Sequence, residues 1–381
     1  MFSSFRNGLM ILCLRHVNTA ALGRSVTSPV PLSLAAPRYT EIRLNFSRLQ
    51  CLFSPCTTMG DSSPRVLSIQ SHVVSGYVGN KSATFPLQVL GFDVDAINSV
   101  QFSNHTGYGY WKGHVLAEQE LVELAEGLAH NGLDRQYTHL LTGYNRSKSF
   151  LSHIANIVCE LRKKNPGLIY LCDPVIGDIG RGVYVPQDLI EVYQKTIIPI
   201  ANVVTPNQFE LEILTGKPVK SIEDAWEATA LLHNMGPRTV VVSSSELGNE
   251  DSLLCLGSMI VEGKRKKAMV TFPKLEGSYT GTGDLFSALF LAWMWRSGQD
   301  LKQSLEFTVA TIQAILQQTI ALKKGSKWPY LFLFYFNVKL IYISFSLENN
   351  DKSVFQNELK LIQGKSDIEN PKVIYPAVLL E

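Results

Sequence analysis

The residues best suited to chemistry are Gly281-Thr282-Gly283-Asp284, which follow an extended run from Ala268 to Thr280 and open the apolar segment Leu285 to Trp295. Two glycines flanking a threonine at a strand-to-helix junction suit a turn that points several backbone N–H groups at one spot. The helix beyond adds its positive dipole end, so the natural guest is an anion. Asp284, one step into that helix, would repel an anion if asked to bind it. It is well placed to take a proton from a hydroxyl attacking that anion. The chemistry implied is phosphoryl transfer to an alcohol, with Asp284 as base and Gly281, Thr282 and Gly283 as the anion hole. Glycine and aspartate also begin helices for capping reasons alone, so these four residues leave a purely structural cap open.

The elements that must position this turn follow an alternating pattern. Val66 to Ser71, Phe92 to Ile97, His139 to Gly143, Leu168 to Asp173, Val203 to Thr205 and Thr239 to Ser243 are apolar runs that predict strands. Between them, Ala83 to Leu90, Glu118 to Ala129, Ser149 to Lys164, Pro186 to Ile198, Gln208 to Leu214 and Ser221 to Met235 read as helices, and Leu301 to Leu322 follows as another. Ser221 with Asp224 three residues later has the form of an N-terminal cap. Strands alternating with helices predict an α/β fold, a mostly parallel central sheet with helices on both faces. Ligands in such sheets gather at the carboxyl ends of the strands. Ser71, Asp173, Thr205 and Ser243 end their strands, and are expected to converge there with the Gly281 turn.

Composition excludes more than it selects. The chain has 381 residues, 45% hydrophobic and 18% charged, with a net charge of +2. That is an ordinary soluble balance with no reason to expect nucleic acid or a strongly acidic partner. Its six cysteines include no Cys-x-x-Cys pair, so neither a zinc site nor a disulfide framework is indicated. No Gly-x-x-x-x-Gly-Lys-Ser/Thr string occurs, and Gly107-Tyr108-Gly109 is wrongly spaced for a dinucleotide fingerprint. A nucleotide, if bound, is held by another device.

Two segments break the pattern. Residues 1–60 carry Arg6, Arg15, Arg24, Arg38, Arg43 and Arg48 against the single acid Glu41, with frequent serine and threonine. Two readings stand: a transit peptide addressing a mitochondrion or other organelle, or a disordered leader with Met59 as a second start in a cytoplasmic protein. Residues 326–350 hold the apolar, aromatic run Trp328 to Ser346, interrupted by Asn337 and Lys339. The run just reaches spanning length, but a charge at mid-span is costly and argues against a membrane helix. A strand-like or poorly folded insert is the expectation.

Several stretches together resemble pyridoxal kinase, of the ribokinase-like superfamily. They are Ser68-Ile69-Gln70-Ser71-His72 with Gly76-Tyr77-Val78-Gly79-Asn80, Asn98 to Tyr108 with its Ser103-Asn104-His105-Thr106-Gly107 core, and Leu141-Thr142-Gly143-Tyr144. Cys172-Asp173-Pro174-Val175-Ile176-Gly177-Asp178, Thr205-Pro206-Asn207-Gln208-Phe209-Glu210 and Gly281 to Asp284 continue it in the family's order. The match runs from about Arg65 to Lys324 and resumes near Phe355, so 65–325 and 351–381 are expected to form one kinase domain around the insert.

The resemblance implies ATP-dependent phosphorylation of the 5′-hydroxyl of pyridoxal, pyridoxine or pyridoxamine, commonly by a homodimer. Asp284 matches the family's base and Gly281, Thr282 and Gly283 its γ-phosphate cradle. Ser71 and Thr106 match positions that hydrogen-bond the pyridine substituents, while Phe102 and Tyr144 either wall the ring or are core aromatics. Asp173 and Asp178 are hard oxygen ligands for Mg²⁺ or another divalent cation, or else loop-solvating acids. Asn207 and Glu210 match nucleotide- and metal-site residues, with Asp173, Thr282, Ser243 and Ser244 also on the nucleotide side. Thr205 and Ser243 are expected to help a monovalent cation, K⁺ or Na⁺, and a capping role around Pro206 is compatible with that. Ser243 stands where the family commonly has threonine, the loop Ile179 to Val183 is short, and the family lacks Trp328 to Ser346. Two rivals remain: a non-catalytic or membrane-associated B6-binding variant, and a hydroxymethylpyrimidine kinase on the same fold.

Overall fold

A computed structural model describes residues 63–323 and 352–380, all within the unit Asp61–Glu381. The leader at 1–60 and the insert at 326–350 lie outside the described residues. The strands are β1 (Arg65–Val73), β2 (Asp93–Phe102), β3 (Gly113–Val115), β4 (His139–Thr142), β5 (Ile169–Cys172), β6 (Gly177–Asp178), β7 (Gly182–Val183), β8 (Val203–Val204), β9 (Thr239–Ser245), β10 (Ser252–Val261), β11 (Lys264–Pro273) and β12 (Val378–Leu380). The helices are α1 (Asn80–Val89), α2 (Glu118–His130), α3 (Lys148–Lys164), α4 (Gln187–Val192), α5 (Gln208–Thr215), α6 (Ile222–Met235), α7 (Thr282–Arg296), α8 (Leu301–Lys323), α9 (Lys352–Gln356) and α10 (Lys365–Glu369).

The ten-stranded sheet has the order β12-β11-β10-β9-β8-β5-β4-β1-β2-β3. Its centre, β2-β1-β4-β5-β8-β9, is parallel throughout. β10 pairs antiparallel with both β9 and β11, which turns β11 back into the direction of the parallel set. The six central strands and β11 therefore end at one edge, while β3, β10 and β12 run the other way. β6 and β7 form a separate two-stranded flap.

The central strands are apolar on both faces because both faces are covered. Leu140, Tyr170 and Val240 face one core, with α3, α5 and α6. Their neighbours Leu141, Leu171 and Val241 face the other, with α1, α7 and α8. α3 buries a stripe of Phe150, Leu151, Ile154, Ala155, Val158 and Leu161, the spacing of one helical face, and Ser147 caps it by accepting from Phe150 N. α7 is buried almost all round, from Leu285 to Met294.

The expected strands and helices are present with small shifts at their ends. Ser221 caps α6 through Asp224 N as its spacing predicted. Three differences follow, besides the short β3, β6, β7, β12, α9 and α10, which the sequence pattern did not predict. The extended run does not reach Thr280: β11 ends at Pro273, and a loop from Lys274 leads to the Gly281 turn. Pro186 to Ile198 is not one helix, since α4 passes into a π turn at Tyr193–Ile197 and a 3₁₀ turn around Pro199. β10 was not foreseen, because Ser252–Val261 is a continuous apolar run buried along most of its length and carries no alternation.

Candidate active site

The turn at Gly281 is held by close approach of two backbones. Gly281 has φ +88°, and a Cβ there would lie 2.0 Å from the Tyr77 carbonyl oxygen. Only glycine fits. Ser82 Oγ donates to Gly281 O at 3.1 Å. Thr282 is the first residue of α7 and Asp284 the third, so its carboxyl sits beside the first-turn amides rather than one step in.

Asp284 Oδ2 accepts from Gly79 N at 2.8 Å, which joins the start of α7 to the start of α1. The side chain keeps partial exposure at the strand-end edge. Packed protein around it pushes its carboxyl above the usual range, against the opposing pull of the Gly79 N–H. A raised carboxyl is a better proton acceptor than a free aspartate, which is what a base for an alcohol needs.

Beneath it lies an acidic set. Asp173, just past β5, is buried, with its Oδ2 in no hydrogen bond, and a Cβ on Gly283 would stand 3.7 Å from that atom. Burial, with Glu210 and Asp284 nearby, holds the Asp173 carboxyl well above the carboxylate range. Glu210 is pushed up to about 8 by burial, although three backbone amides oppose the rise. Its Oε1 accepts from Ile176 N at 2.9 Å and Gly177 N at 3.4 Å, and its Oε2 from Asn207 N at 2.9 Å. Glu210 thus clasps the loop after β5 to the loop after β8. Asn207 completes a capping box by accepting from Glu210 N, and donates to Asp178 Oδ1 at 3.1 Å. Asp178 also takes the Tyr184 hydroxyl of the flap.

The remaining predicted residues divide. Ser71 follows a bulge in β1 against β2, and a Cβ on Gly79 would stand 2.4 Å from its Oγ; it lies on the same edge as Asp284. Thr106 is exposed at the start of a 3₁₀ turn, Thr106–Tyr108. Tyr144 is half-buried and lines a cleft of about 480 Å³ with Ser99, Leu116, Arg146 and Phe150. Phe102 is a core aromatic, 8% exposed in a small cluster with Val73, Val78 and Val100. Thr205 is buried, with Oγ1 on Ser287 Oγ at 2.9 Å. Ser243 and Ser244 are half-buried in β9, and Ser243 N donates to Pro206 O at 2.9 Å. Among the described residues no group of three or more His, Cys, Asp and Glu side chains is arranged to hold a metal by itself.

Two participants were missed. Gly79, with φ +52°, supplies the amide that meets Asp284; a glycine at a strand-to-helix junction, the signal used for Gly281, was available for it. Glu358, buried in the C-terminal segment, reaches Tyr77, His105 and Tyr108. A contact across that sequence distance has no local signal.

Comparisons with known proteins show what the chain is similar to. Residues 149–329 match the family model "Phosphomethylpyrimidine kinase". Pyridoxal kinase of Ovis aries is 46% identical over 327 residues, covering 83% of this chain and 98% of its own. That of Arabidopsis thaliana is 46% identical over 311 residues, covering 81% and 92%. The solved pyridoxal kinase from Leishmania donovani in complex with ADP and pyridoxamine superposes with a TM-score of 0.71 at 34% identity, covering 83% of this chain and 99% of that one.

Proposed function

The chain belongs to the pyridoxal kinase family, and from that premise we propose how its residues transfer the γ-phosphate of ATP to the 5′-hydroxyl of pyridoxal, pyridoxine or pyridoxamine. The observation that carries the reading is the 2.8 Å bond from Gly79 N to Asp284 Oδ2. It holds the base at the seam between the loop that follows β1, next to Ser71, and the amide-rich start of α7. The vitamin's hydroxymethyl group lies against Asp284, which takes the hydroxyl proton as the oxygen attacks the γ-phosphorus of ATP and the bond to the departing ADP breaks. The first-turn amides at Thr282 and Gly283 receive the transferring phosphoryl oxygens, where preorganised dipoles are most effective. Ser71, Thr106 and Tyr144 orient the ring; Phe102 supports that wall from within the core.

The ATP side is framed by Asn207, Ser243, Ser244 and Thr282. A divalent cation such as Mg²⁺ suits Asp173 and Asp178, because a buried carboxylate oxygen without a hydrogen-bond partner is costly unless a cation meets it. Held by Asp173 and Asp178, such an ion would supply positive charge to offset the negative charge that shifts during transfer. A monovalent cation near Thr205 and Ser243 would meet their hydroxyl oxygens, and its proposed role is loop order, read from turnover in K⁺ against Na⁺. Homodimerisation is part of the same proposal and is checked by sedimentation.

The test is formation of pyridoxal 5′-phosphate from pyridoxal and ATP by the full purified chain, lost in Asp284→Ala. A folded wild-type chain without turnover sinks the reading in favour of a binding variant. Turnover of hydroxymethylpyrimidine against pyridoxal, side by side, decides the other rival. The phosphomethylpyrimidine kinase match covers only residues 149–329, leaving Ser71, Phe102, Thr106 and Tyr144 outside it.

A further inference from the structure

Glu358 lies far along the chain from the residues it serves. Its Oε2 accepts from Tyr77 N at 3.0 Å. Its Oε1 accepts from Tyr108 Oη at 3.0 Å and lies 3.2 Å from His105 Nε2. Gly107 N donates to His105 Nδ1 at 3.1 Å, so the ring proton sits on Nε2 and points at Glu358. The carboxylate is 5% exposed. It is seated over Gly76, where a Cβ would come within 2.4 Å of Oε1. One side chain therefore holds two walls. Tyr77 leads to Gly79, whose amide meets Asp284, and the Tyr77 carbonyl packs on Gly281. His105 and Tyr108 bracket Thr106 in its short turn.

We propose that Glu358 is a positioning residue for the vitamin side of the site, setting the Tyr77–Gly79 loop and the Thr106 turn at the separation a pyridine ring requires. Glu358 touches neither reactant; it acts through the backbone amide of Tyr77 and the side chains of His105 and Tyr108. Replacing one carboxylate oxygen by an amide turns a donor against a donor, so at least one of the two walls is released. Small displacements of a positioned group are magnified in rate. Glu358 bonds to Tyr77, His105 and Tyr108, whereas Asn207, Ser243 and Ser244, which frame ATP, stand on other elements.

This inference rests on the kinase reading above. It is tested with Glu358→Gln and Tyr108→Phe in the full chain, measuring kcat and KM for pyridoxal and for ATP together with the thermal midpoint. Expected is a fall of about tenfold or more in kcat/KM for pyridoxal in E358Q, with the KM for ATP within about twofold of wild type. Y108F, which removes one donor from a surface turn, should fall in the same direction by a smaller factor. A folded E358Q with wild-type kcat/KM for pyridoxal overturns the assignment, and so does a loss shared equally between pyridoxal and ATP. If E358Q does not fold, Y108F decides by the same criterion. Absent turnover in the wild-type chain instead overturns the functional reading, so the two failures are distinct.

Discussion

Asp284 combines two demands that usually conflict, a carboxylate held by a backbone amide and a site buried enough to raise it. Removing it as Asp284→Asn should lower kcat by about 10² to 10⁴, the usual contribution of a positioned base, with KM for ATP little changed. Its raised carboxyl also sets a pH dependence. The base must be deprotonated to act, so kcat/KM should fall as pH drops, at a pH above the ~4 of an ordinary aspartate. A limb at or below that value would contradict the assignment. Asp173 makes a separate prediction about stability. Its folded carboxyl is raised by burial and by neighbouring acids, so the native state holds a proton that the unfolded chain releases. Stability from this group is whole below about pH 4 and is lost as pH climbs through the folded value. Asp173→Asn, which cannot ionise, should therefore raise the thermal midpoint relative to wild type at pH 8 more than at pH 5, measured without divalent cations. It should lose turnover at the same time.

At the scale of elements, the site is a meeting of helix starts. α1 and α7 begin within reach of one another, joined by the Gly79–Asp284 bond and by Ser82 on Gly281. Gly281 allows that approach, since a Cβ there would stand 2.0 Å from the Tyr77 carbonyl oxygen; Gly79 allows the turn itself to close on Ser71, whose carbonyl oxygen would stand 2.0 Å from a Cβ. Gly281→Ala should cost about 1–3 kcal/mol or more in stability from the positive φ and the clash, and should abolish turnover even where the fold survives. A useful contrast is Ser221→Ala at the cap of α6, a residue with no assigned part in the site. It should cost about 1 kcal/mol in a denaturation midpoint and leave kcat/KM unchanged. α5 sits between these cases. Its capping box is built from Asn207 and Glu210, the same residues that clasp the loop after β5, so capping and site geometry are one structure here.

For the molecule as a whole, the segment after the insert is part of the fold. Leu359, Leu361 and Ile368 are fully buried in the core beneath α7 and α8, and β12 extends the sheet beside β11. Each such side chain contributes roughly 1.5–3 kcal/mol by burial. Together they approach the net stability of an ordinary domain, about 5–15 kcal/mol. A chain ended after Lys323 should therefore fail to fold cooperatively, read as loss of a thermal transition or as insoluble expression. Glu358 makes the same segment part of the vitamin side of the site. The address of the protein is a separate matter: fluorescent fusions starting at Met1 and at Met59 should differ in distribution if residues 1–60 act as a transit peptide, and identical patterns would remove that idea.

Local signals determined a good deal of this protein. The alternation of apolar runs with amphipathic helices specified a parallel sheet covered on both faces, because burial on each side leaves a periodicity that short windows record. The glycine turn before an apolar helix offered an anion site with the neighbouring acid as base, alongside a plain helix cap, since backbone φ and charge placement are properties of a few adjacent residues. Ser221 with Asp224 was legible for the same reason, whereas Asn207 with Glu210 was reached only through the family resemblance. Only the tertiary structure decided what depends on distant partners. β10 reverses the chain and so brings the end of β11 to the common edge. Phe102 went to the core rather than to an open ring pocket, because Val73, Val78 and Val100 enclose it. Gly79 became the partner of Asp284, and Glu358 the clasp of two loops, through contacts that span most of the sequence. The Gly281 turn announced what chemistry was possible; the packing of α1, α7 and the C-terminal segment settled where its carboxylate stands.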